Sequence, residues 1–413
     1  MDNPLRQLAA AGQSVWLDYI HRKILENGEL KHLIEQDGVT GVTSNPSIFE
    51  QSIGHGTDYD DRLQRLLDVG VVAAAELYER LAIIDVRAAA DQLRPVYDRR
   101  LRRDGYVSLE VSPHLAMDTE ATVAEARRLW RAVDRPNLMI KVPGTAPGVA
   151  AVRQLIGEGI NVNVTLLFGI GAYLAAAEAH LEGLEALSAA GGDLSKVHSV
   201  ASFFISRIDG EVDRRIDARL AAGAGADTLG LAQLRGKVAI ANAKIAYRRY
   251  REDLDCPRWE KLAAAGASPQ RLLWASTGVK DPTYPDVYYL EALIGPDTVN
   301  TMPAKTLDAF RDHGRVGTTL REHPYEAYEV EVLTDTLGLN LKEITDGLLI
   351  DGLRRFAQSY DDLLAALSVK RDTLKATQAP QPAASACDGP PSAVVKRTLR
   401  GPIANRRRGW PGA

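Results

Sequence analysis

The sequence predicts an α/β protein folded as a (β/α)8 TIM barrel with extra helical insertions. Eight short apolar runs of β-strand character alternate with longer Ala-, Leu-, Arg- and Glu-rich patterns that are typical of helices. A bare barrel takes ~250 residues, and two long helical stretches absorb much of the excess in this chain. An open doubly wound sheet is the alternative, because it has the same alternation of strands and helices.

The predicted strands are short apolar or alternating runs bounded by Pro, Gly, Asn or Ser. In chain order they span residues 15–20, 39–45, 106–112, 138–143, 161–168, 197–206, 271–277 and 298–303. The helical insertions follow the second strand, at residues 60–67 and 72–96, and the sixth strand, at residues 209–250.

We predict one barrel domain over residues 1–369 and a tail over residues 370–413. The tail is rich in Pro and Ala, and residues 371–413 carry eight Lys or Arg against two Asp. Because it has few apolar residues and no periodicity, it is expected to be disordered. A polyanion-binding arm is one interpretation. A solvated extension is favoured, because no aromatic residues alternate with the charges.

The composition excludes several classes of protein. The 413-residue chain is 45% hydrophobic and 25% charged, with a formal net charge of -4, which is typical of a soluble globular protein. This balance argues against nucleic acid or a membrane surface as the main partner. No apolar run is long enough to span a bilayer, and the first residues do not resemble a signal peptide, so a cytoplasmic protein is expected. The sequence leaves open whether the chain forms a homo-oligomer.

No metal or cofactor is expected. The two cysteines, Cys256 and Cys387, and the eight histidines do not have the spacing of metal ligands. There is no P-loop, and the sequence Gly-Ile-Gly at 169–171 lacks the third glycine of a dinucleotide-binding fingerprint.

The fourth predicted strand has a lysine, Lys141, in its middle. Because strand side chains alternate, Leu138, Ile140 and Val142 share one face and Lys141 lies on the other. Burial of both faces would strip the amine of water and favour the neutral form, which attacks a carbonyl carbon to give a Schiff base. The alternative is an edge-strand lysine whose ammonium group reaches solvent.

Polar residues recur on one face of six predicted strands. In a barrel covered by helices, such residues point into a dry interior or into a site. One of them would be a paired core polar group, whereas six strands that also carry a lysine and two carboxylates indicate a buried site. Besides the lysine, this face carries Ser14, Trp16, Asp18, Gly41, Thr43, Asn45, Ser108, Glu110, Ser112, Asn161, Asn163, Thr165, Ser202 and Phe204, with Arg207 just beyond the sixth strand.

Charge and reach suggest catalytic roles for four of these residues. Lys141 is the candidate nucleophile, and Asp18 is the candidate base that acts on a substrate hydroxyl. Glu110 and Thr165 are expected to hold a water molecule that shuttles protons while the imine forms.

Two asparagines are candidates for binding substrate hydroxyls. Asn45 and Asn163 have side-chain amides that can hydrogen-bond a polyol and the developing enamine. Asn45 also fits a helix N-cap before Pro46, and both roles are compatible. Asn163 fits equally well as a satisfied amide in the core.

A phosphate site is predicted at the mouth of the barrel. Arg207 and the turn at 276–280, Ser-Thr-Gly-Val-Lys, combine cations, hydroxyls and accessible backbone N–H groups. Phosphate sites in barrels commonly use the late βα loops. Arg207, Ser276 and Lys280 are therefore the candidate ligands, with a solvated surface lysine as the alternative for Lys280.

Four motifs together resemble those of the transaldolases, in particular the longer bacterial type. They are GVTSNPSIF at 41–49, IKVPG at 140–144, GINVNVTLLF at 159–168 and SFFISR at 202–207. The resemblance covers roughly residues 14–365. The family's shorter members carry an arginine soon after the serine that aligns with Ser276. Here Thr277-Gly278 intervenes, and Lys280 is the nearest cation.

The resemblance implies an enzyme of the pentose phosphate pathway that acts through a Schiff base and needs no cofactor or metal. Lys141 would attack C2 of sedoheptulose 7-phosphate and Asp18 would take the C4 hydroxyl proton, so that erythrose 4-phosphate leaves. The dihydroxyacetone enamine would stay on Lys141 until glyceraldehyde 3-phosphate arrives, giving fructose 6-phosphate. Residues that match the family's site are Asn45, Ser108, Glu110, Asn163, Thr165, Ser202 and Phe204, and Arg207 matches its phosphate-binding arginine.

Two other functions compete with transfer. An aldolase on the same scaffold would release free dihydroxyacetone, but such relatives tend to be much shorter and carry Tyr where this chain has Phe204. A phenol there could protonate the enamine, and Phe cannot. A non-catalytic sugar-phosphate-binding barrel would not need a buried amine beside Asp18 and Glu110.

Overall fold

The computed structural model describes residues 3–378. It contains eight strands. Seven of them lie within predicted runs, and β1 begins two residues before its run and shares residues 15–17 with it. The strands are β1 Gln13–Leu17, β2 Val39–Val42, β3 Tyr106–Glu110, β4 Leu138–Pro143, β5 Val162–Leu167, β6 Ser199–Phe204, β7 Arg271–Ala275 and β8 Thr298–Met302.

The eight strands form one closed parallel barrel in the order β1 to β8, with β8 paired to β1. The predicted (β/α)8 barrel is therefore confirmed, and the open doubly wound sheet is excluded. The register aligns Glu110 of β3 with Lys141 of β4, and Lys141 with Asn163 of β5. Three polar residues on neighbouring strands thus lie at one level of the barrel interior.

Seventeen α-helices within residues 3–378 surround the barrel. They are α1 Pro4–Ala10, α2 Arg22–Glu26, α3 Glu29–His32, α4 Pro46–Phe49, α5 Asp60–Asp68, α6 Ala74–Arg99, α7 Thr119–Val133, α8 Ala146–Gly157, α9 Ile170–Ala189, α10 Ser206–Ala221, α11 Thr228–Leu234, α12 Val238–Leu254, α13 Pro257–Ala264, α14 Tyr288–Ala292, α15 Ala304–His313, α16 Pro324–Thr336 and α17 Leu341–Gln378. The predicted insertions correspond to α5 and α6, and to α10 through α12. Within the described part of the chain, no helix is both long and apolar enough to cross a membrane.

The amino-terminal end of the barrel is closed by a buried polar cluster around Trp16. The indole Nε1 donates to Asp104 Oδ1 at 2.7 Å, and Arg271 lies 3.8 Å from the same carboxylate. Gly41 on β2 makes room for the ring, because a Cβ there would lie 2.4 Å from indole atoms. Part of the polar inner face predicted from sequence, including Ser14, which accepts from Arg271, therefore stabilises the fold and lies outside the site.

The last helix, α17, crosses the barrel as a long cap. Its buried residues Phe356, Leu363 and Leu367 recur at intervals of four and seven, so one apolar stripe faces the protein. The helix contacts α4, α5, α6 and α10 and the strand β5. A helix that is remote from the barrel strands in sequence therefore covers their carboxyl ends.

The described structure continues past residue 369, near which the barrel domain was predicted to end. Helix α17 continues to Gln378. Lys370 Nζ lies 3.0 Å from Asp60 Oδ1, and Arg371 Nη1 donates to the Val72 carbonyl at 2.9 Å. The charges that suggested a tail instead attach the last turns of the helix to the first insertion. The rest of the predicted tail, with Cys387, lies outside the described residues.

Candidate active site

The predicted site residues meet at the carboxyl ends of the strands, where barrel enzymes carry their active sites. A cavity of about 170 Å³ opens there under α17. Of the residues predicted on the polar face and at the phosphate site, ten line it: Asp18, Thr43, Asn45, Lys141, Thr165, Ser202, Phe204, Arg207, Ser276 and Lys280. Three others that match the family's site, Ser108, Glu110 and Asn163, do not line the cavity.

Lys141 is buried at the centre of the site, with only 5% of the residue exposed. Its Nζ donates to the Ser44 carbonyl at 3.0 Å and lies 3.4 Å from Glu110 Oε2. The ring of Phe356 lies on another side, 5.9 Å from Nζ. The solvent-reaching alternative for this lysine is therefore wrong. Because β4 is covered on both faces, the alternation of its side chains directs the amine into the barrel.

Glu110 is a buried acid beside the amine. Burial raises the pKa of its carboxyl from 4.5 to about 7, although the nearby Lys141 ammonium opposes the shift and Asp18 adds to it. Apart from the ion pair with Lys141, its two carboxylate oxygens have no hydrogen-bond partner among the described residues. A carboxyl that titrates near neutrality can both give and take a proton.

Thr165 provides a second unpaired polar group in the site. Its hydroxyl is buried, lines the cavity and has no hydrogen-bond partner within residues 3–378. The next residue, Leu166, has φ of 60°, and the pairing of β5 with β6 is irregular between Val164 and Leu167. Such left-handed backbone in a non-glycine residue is costly and concentrates at functional sites.

Asp18 lies just past the end of β1 and faces the cavity. Thr43 Oγ1 donates to Asp18 Oδ1 at 2.6 Å, and Thr43 Oγ1 is also 2.7 Å from Thr301 Oγ1. Burial raises the pKa of the Asp18 carboxyl, while Lys141, the Thr43 hydroxyl, Arg207 and Lys280 each act to lower it. Burial thus makes the Asp18 carboxylate a stronger base, and the charge of Lys141 still acts on it.

Asn163 is a satisfied amide that joins three strands. Its Nδ2 donates to Ser108 Oγ at 3.0 Å, and its Oδ1 accepts from Ser202 Oγ at 2.6 Å. Of the three, only Ser202 lines the cavity. The core-amide interpretation of Asn163 therefore describes its contacts, and Ser202 is the member of the chain that a bound ligand would meet.

Asn45 combines both of its predicted roles. It is the N-cap of α4, where its Oδ1 accepts from the Ile48 N–H at 3.0 Å, and it also lines the cavity. Because Oδ1 is used by the cap, the amide N–H groups are the part of Asn45 that is left for a ligand.

The predicted phosphate site lies at the outer end of the cavity. Arg207, at the start of α10, has a buried Nη1 with no hydrogen-bond partner among the described residues, and its guanidinium lies 5.4 Å from the Phe204 ring. Burial and the nearby Arg355 lower the pKa of Arg207. An unpaired, desolvated guanidinium is poised for an anion.

The turn after β7 brings hydroxyl and cation to the same place. Ser276 has φ of 55°, and its hydroxyl is 3.0 Å from Ser206 Oγ. Lys280 is solvent-exposed but lines the cavity mouth. Thr277, in contrast, is buried and donates to Asn300 Oδ1 at 3.0 Å, and it does not line the cavity.

Three cavity residues with polar or aromatic side chains were not among the candidates named from the sequence. Thr301 continues the polar face into β8, a signal that the alternation rule should have found. Ser47 lies one residue past the Asn45-Pro46 motif. Phe356 comes from α17, and no local pattern connects that helix with the lysine strand.

Within residues 3–378, no group of three or more His, Cys, Asp or Glu side chains is placed to hold a metal ion. The cavity itself brings together the Lys141 amine with Glu110 beside it, the Asp18 carboxyl, and the cations Arg207 and Lys280.

Comparisons with known proteins agree with this geometry. A family model described as transaldolase/fructose-6-phosphate aldolase matches residues 15–367. A Thermobifida fusca protein named transaldolase is 49% identical over 366 residues, which cover 88% of this chain and 97% of that protein. The Nostoc sp. protein named transaldolase 2 is 47% identical over 372 residues, 89% of this chain and 97% of its own length. A Parafrankia sp. transaldolase is 48% identical over 365 residues, with 88% and 97% covered.

Proposed function

The chain belongs to the transaldolase/fructose-6-phosphate aldolase family, and we propose that it performs the transaldolase reaction through a Schiff base on Lys141. The family and the named relatives make the chain a transferase. The observation that carries the residue assignment is the buried Lys141 amine, within 3.4 Å of Glu110 and in one cavity with Asp18.

In the first step, Lys141 forms an imine with the donor ketose. Its nitrogen attacks C2 of sedoheptulose 7-phosphate, and the C2 oxygen leaves as water once it has been protonated. Glu110 takes a proton from the amine and returns it to the departing oxygen, either directly or through a water held against Thr165. Its pKa of about 7 suits both transfers.

In the second step, the C3–C4 bond breaks. Asp18 removes the proton of the C4 hydroxyl, C4 becomes the aldehyde carbon of erythrose 4-phosphate, and the bonding electrons move through C3 to the cationic imine. The product on Lys141 is a neutral dihydroxyacetone enamine. The raised pKa of Asp18 makes its carboxylate a better base for this proton.

Transfer reverses these events on a new aldehyde. C3 of the enamine attacks C1 of glyceraldehyde 3-phosphate, and Asp18 returns its proton to the new hydroxyl. Water then adds to the imine carbon, and fructose 6-phosphate leaves as the Lys141 amine is restored. One water is released at imine formation and one is consumed at hydrolysis, so the cycle balances without a further reactant.

Sugar-phosphate recognition follows the polarity of the cavity. We assign the phosphate to Arg207, Ser276 and Lys280, and the sugar hydroxyls to Asn45, Thr43 and Ser202. The buried and unpaired Nη1 of Arg207 supports the phosphate assignment most strongly. We further propose that the protein acts in the cytoplasm.

The side chain of Phe204, which we expect to face the enamine, favours transfer over simple cleavage. Phe204 lines the cavity and offers no proton, whereas a phenol at this place would help to release dihydroxyacetone. The relatives' name, transaldolase, agrees with transfer. A non-catalytic barrel does not explain why an amine and two carboxyls are desolvated together.

A coupled assay tests this function. With sedoheptulose 7-phosphate as donor, product is expected to form steadily only when glyceraldehyde 3-phosphate is present. Steady release of dihydroxyacetone without acceptor would make the chain an aldolase, and no turnover with either mixture would contradict the proposal.

A further inference from the structure

Phe356 is the aromatic neighbour of the Lys141 amine that comes from outside the barrel. It belongs to α17, is 5% exposed, and lies with its ring centre 5.9 Å from Nζ while lining the cavity. The polar neighbours of the amine, Glu110 and the Ser44 carbonyl, come from the barrel strands and loops. The ring therefore supplies an apolar wall on a side where water could otherwise be held.

The position of this ring is set by contacts along α17. Ser359 Oγ lies 2.8 Å from Ser47 Oγ, and Ser47 itself lines the cavity. On the other side of Phe356, Gly352 lets the helix approach β5, because a Cβ there would lie 3.0 Å from a methyl group of Leu166. The helix is thus held against the site both before and after Phe356.

The chemistry gives this wall a consequence. The dihydroxyacetone enamine on Lys141 is lost to water when C3 gains a proton and water then adds to C2. The carbon–nitrogen bond breaks, and the Lys141 amine and dihydroxyacetone are formed with one water consumed. An enzyme that transfers must keep the enamine until an aldehyde arrives, and exclusion of water is the usual means.

Resting on the proposed function, we propose that Phe356 is a specificity-determining residue that shields the Lys141 enamine from water and so favours transfer over cleavage. The apolar volume of the side chain is the property that matters. A ring on α17 thereby decides whether the intermediate on Lys141 is transferred or hydrolysed.

The test compares two substitutions at this position with a matched control. Phe356→Ala removes the wall, Phe356→Leu keeps apolar volume without the ring, and Leu363→Ala removes a fully buried α17 side chain that does not line the cavity. For each variant, the readout is the rate of dihydroxyacetone release from fructose 6-phosphate without acceptor, divided by the rate of transfer to erythrose 4-phosphate.

The ratio is expected to rise by about fivefold or more in Phe356→Ala and to stay within about twofold of wild type in Phe356→Leu and Leu363→Ala. A general loss of stability lowers both rates and leaves the ratio unchanged. An unchanged ratio in Phe356→Ala, or an equal rise in Leu363→Ala or Phe356→Leu, would overturn the inference. If Phe356→Ala does not fold, Phe356→Ser replaces it, with the same expected rise in the ratio.

The wild-type reactions separate this inference from the function on which it rests. If the wild type neither transfers nor forms a borohydride-trapped adduct, the proposed function fails. If it does both and the Phe356 variants keep the wild-type ratio, only the role of Phe356 fails.

Discussion

Glu110 and Lys141 face each other across the β3–β4 pair, with Oε2 3.4 Å from Nζ and both side chains buried. Each residue is the register partner of the other, so the backbone pairing itself brings the acid to the amine. Removing one member would leave the other charge buried and unpaired, which is costly. The separation of the acid from the amine is therefore determined by the pairing of the two strands.

Replacing Glu110 by Gln should remove the ionisation of this carboxyl from the pH dependence of kcat/KM. The pKa of Glu110 is raised to about 7, and the ionised form is the one that accepts the proton of the amine. We therefore expect kcat/KM of the wild type to rise with pH through about 7. In Glu110→Gln this rise should be absent and kcat should fall about 10²–10⁴-fold. Steady-state rates between pH 5.5 and about 8.5 check this.

The same substitution has a signature in stability. Because the folded-state pKa lies above the ordinary value of 4.5, the unfolded chain releases this proton first as pH rises. The wild type should thus lose stability relative to Glu110→Gln between these two values. For the kinetic prediction, a rise of kcat/KM with pH that persists in Glu110→Gln would show that another group is responsible for it.

Replacing Asp18 by Asn should separate imine formation from bond cleavage. Asp18 acts on the C4 hydroxyl, so Asp18→Asn is expected to form the imine with fructose 6-phosphate but not to break its C3–C4 bond. Borohydride should then fix a six-carbon adduct, in contrast to the three-carbon adduct of the wild type. Mass spectrometry of the protein distinguishes the two. A three-carbon adduct formed at the wild-type rate would remove Asp18 from the cleavage step.

The phosphate assignment predicts different effects at its two cations. Arg207→Ala should lower kcat/KM for fructose 6-phosphate about 10- to 150-fold, which is the loss of about 1.5–3 kcal/mol expected for hydrogen bonds to a charged group. Lys280→Ala should lower it only about two- to fivefold, because Lys280 is exposed. Fructose, the same ketose without its phosphate, with glyceraldehyde as acceptor, is the control, and both variants should use it at close to the wild-type rate. An unchanged Lys280→Ala enzyme would identify a solvated surface lysine.

The packing of Trp16 against Gly41 predicts a large difference between two glycine substitutions. A Cβ at Gly41 would lie 2.4 Å from the indole, whereas a Cβ at Gly171, in the first turn of α9, meets no atom within 4 Å. Gly41→Ala should therefore destabilise the fold by about 1–3 kcal/mol or more, and Gly171→Ala should not. Chemical denaturation of the two variants measures this, and equal stabilities would show that the barrel interior can move aside.

The barrel could be predicted from the sequence because strand patterns are local. Eight apolar runs, and the alternation of side chains within them, are enough to place Lys141 on the inner face. What alternation could not tell was which inner polar residues reach a ligand. The side chain of Asn163, like that of Lys141, lies on the inner face of its strand, yet its amide is hydrogen-bonded to Ser108 and Ser202. Whether an inner polar group is free for a ligand depends on the side chains that adjacent strands place beside it.

The cap helix shows the other limit of sequence reasoning. The change of composition near residue 369 suggested an end to ordered structure, but Lys370 and Arg371 bind α5 and the segment before α6, and the helix continues. Nothing near Phe356 in the chain connects it to Lys141. Only the tertiary path of α17 brings the two together.

The most direct test of the proposed mechanism is the identity of the lysine that carries the substrate. The protein is incubated with fructose 6-phosphate and borohydride, digested, and mapped by mass spectrometry, with Lys141→Ala and the surface variant Lys342→Ala in parallel. We expect a three-carbon adduct on Lys141 in the wild type and in Lys342→Ala, and no adduct in Lys141→Ala. An adduct on a different lysine, or one that persists in Lys141→Ala, would contradict the mechanism.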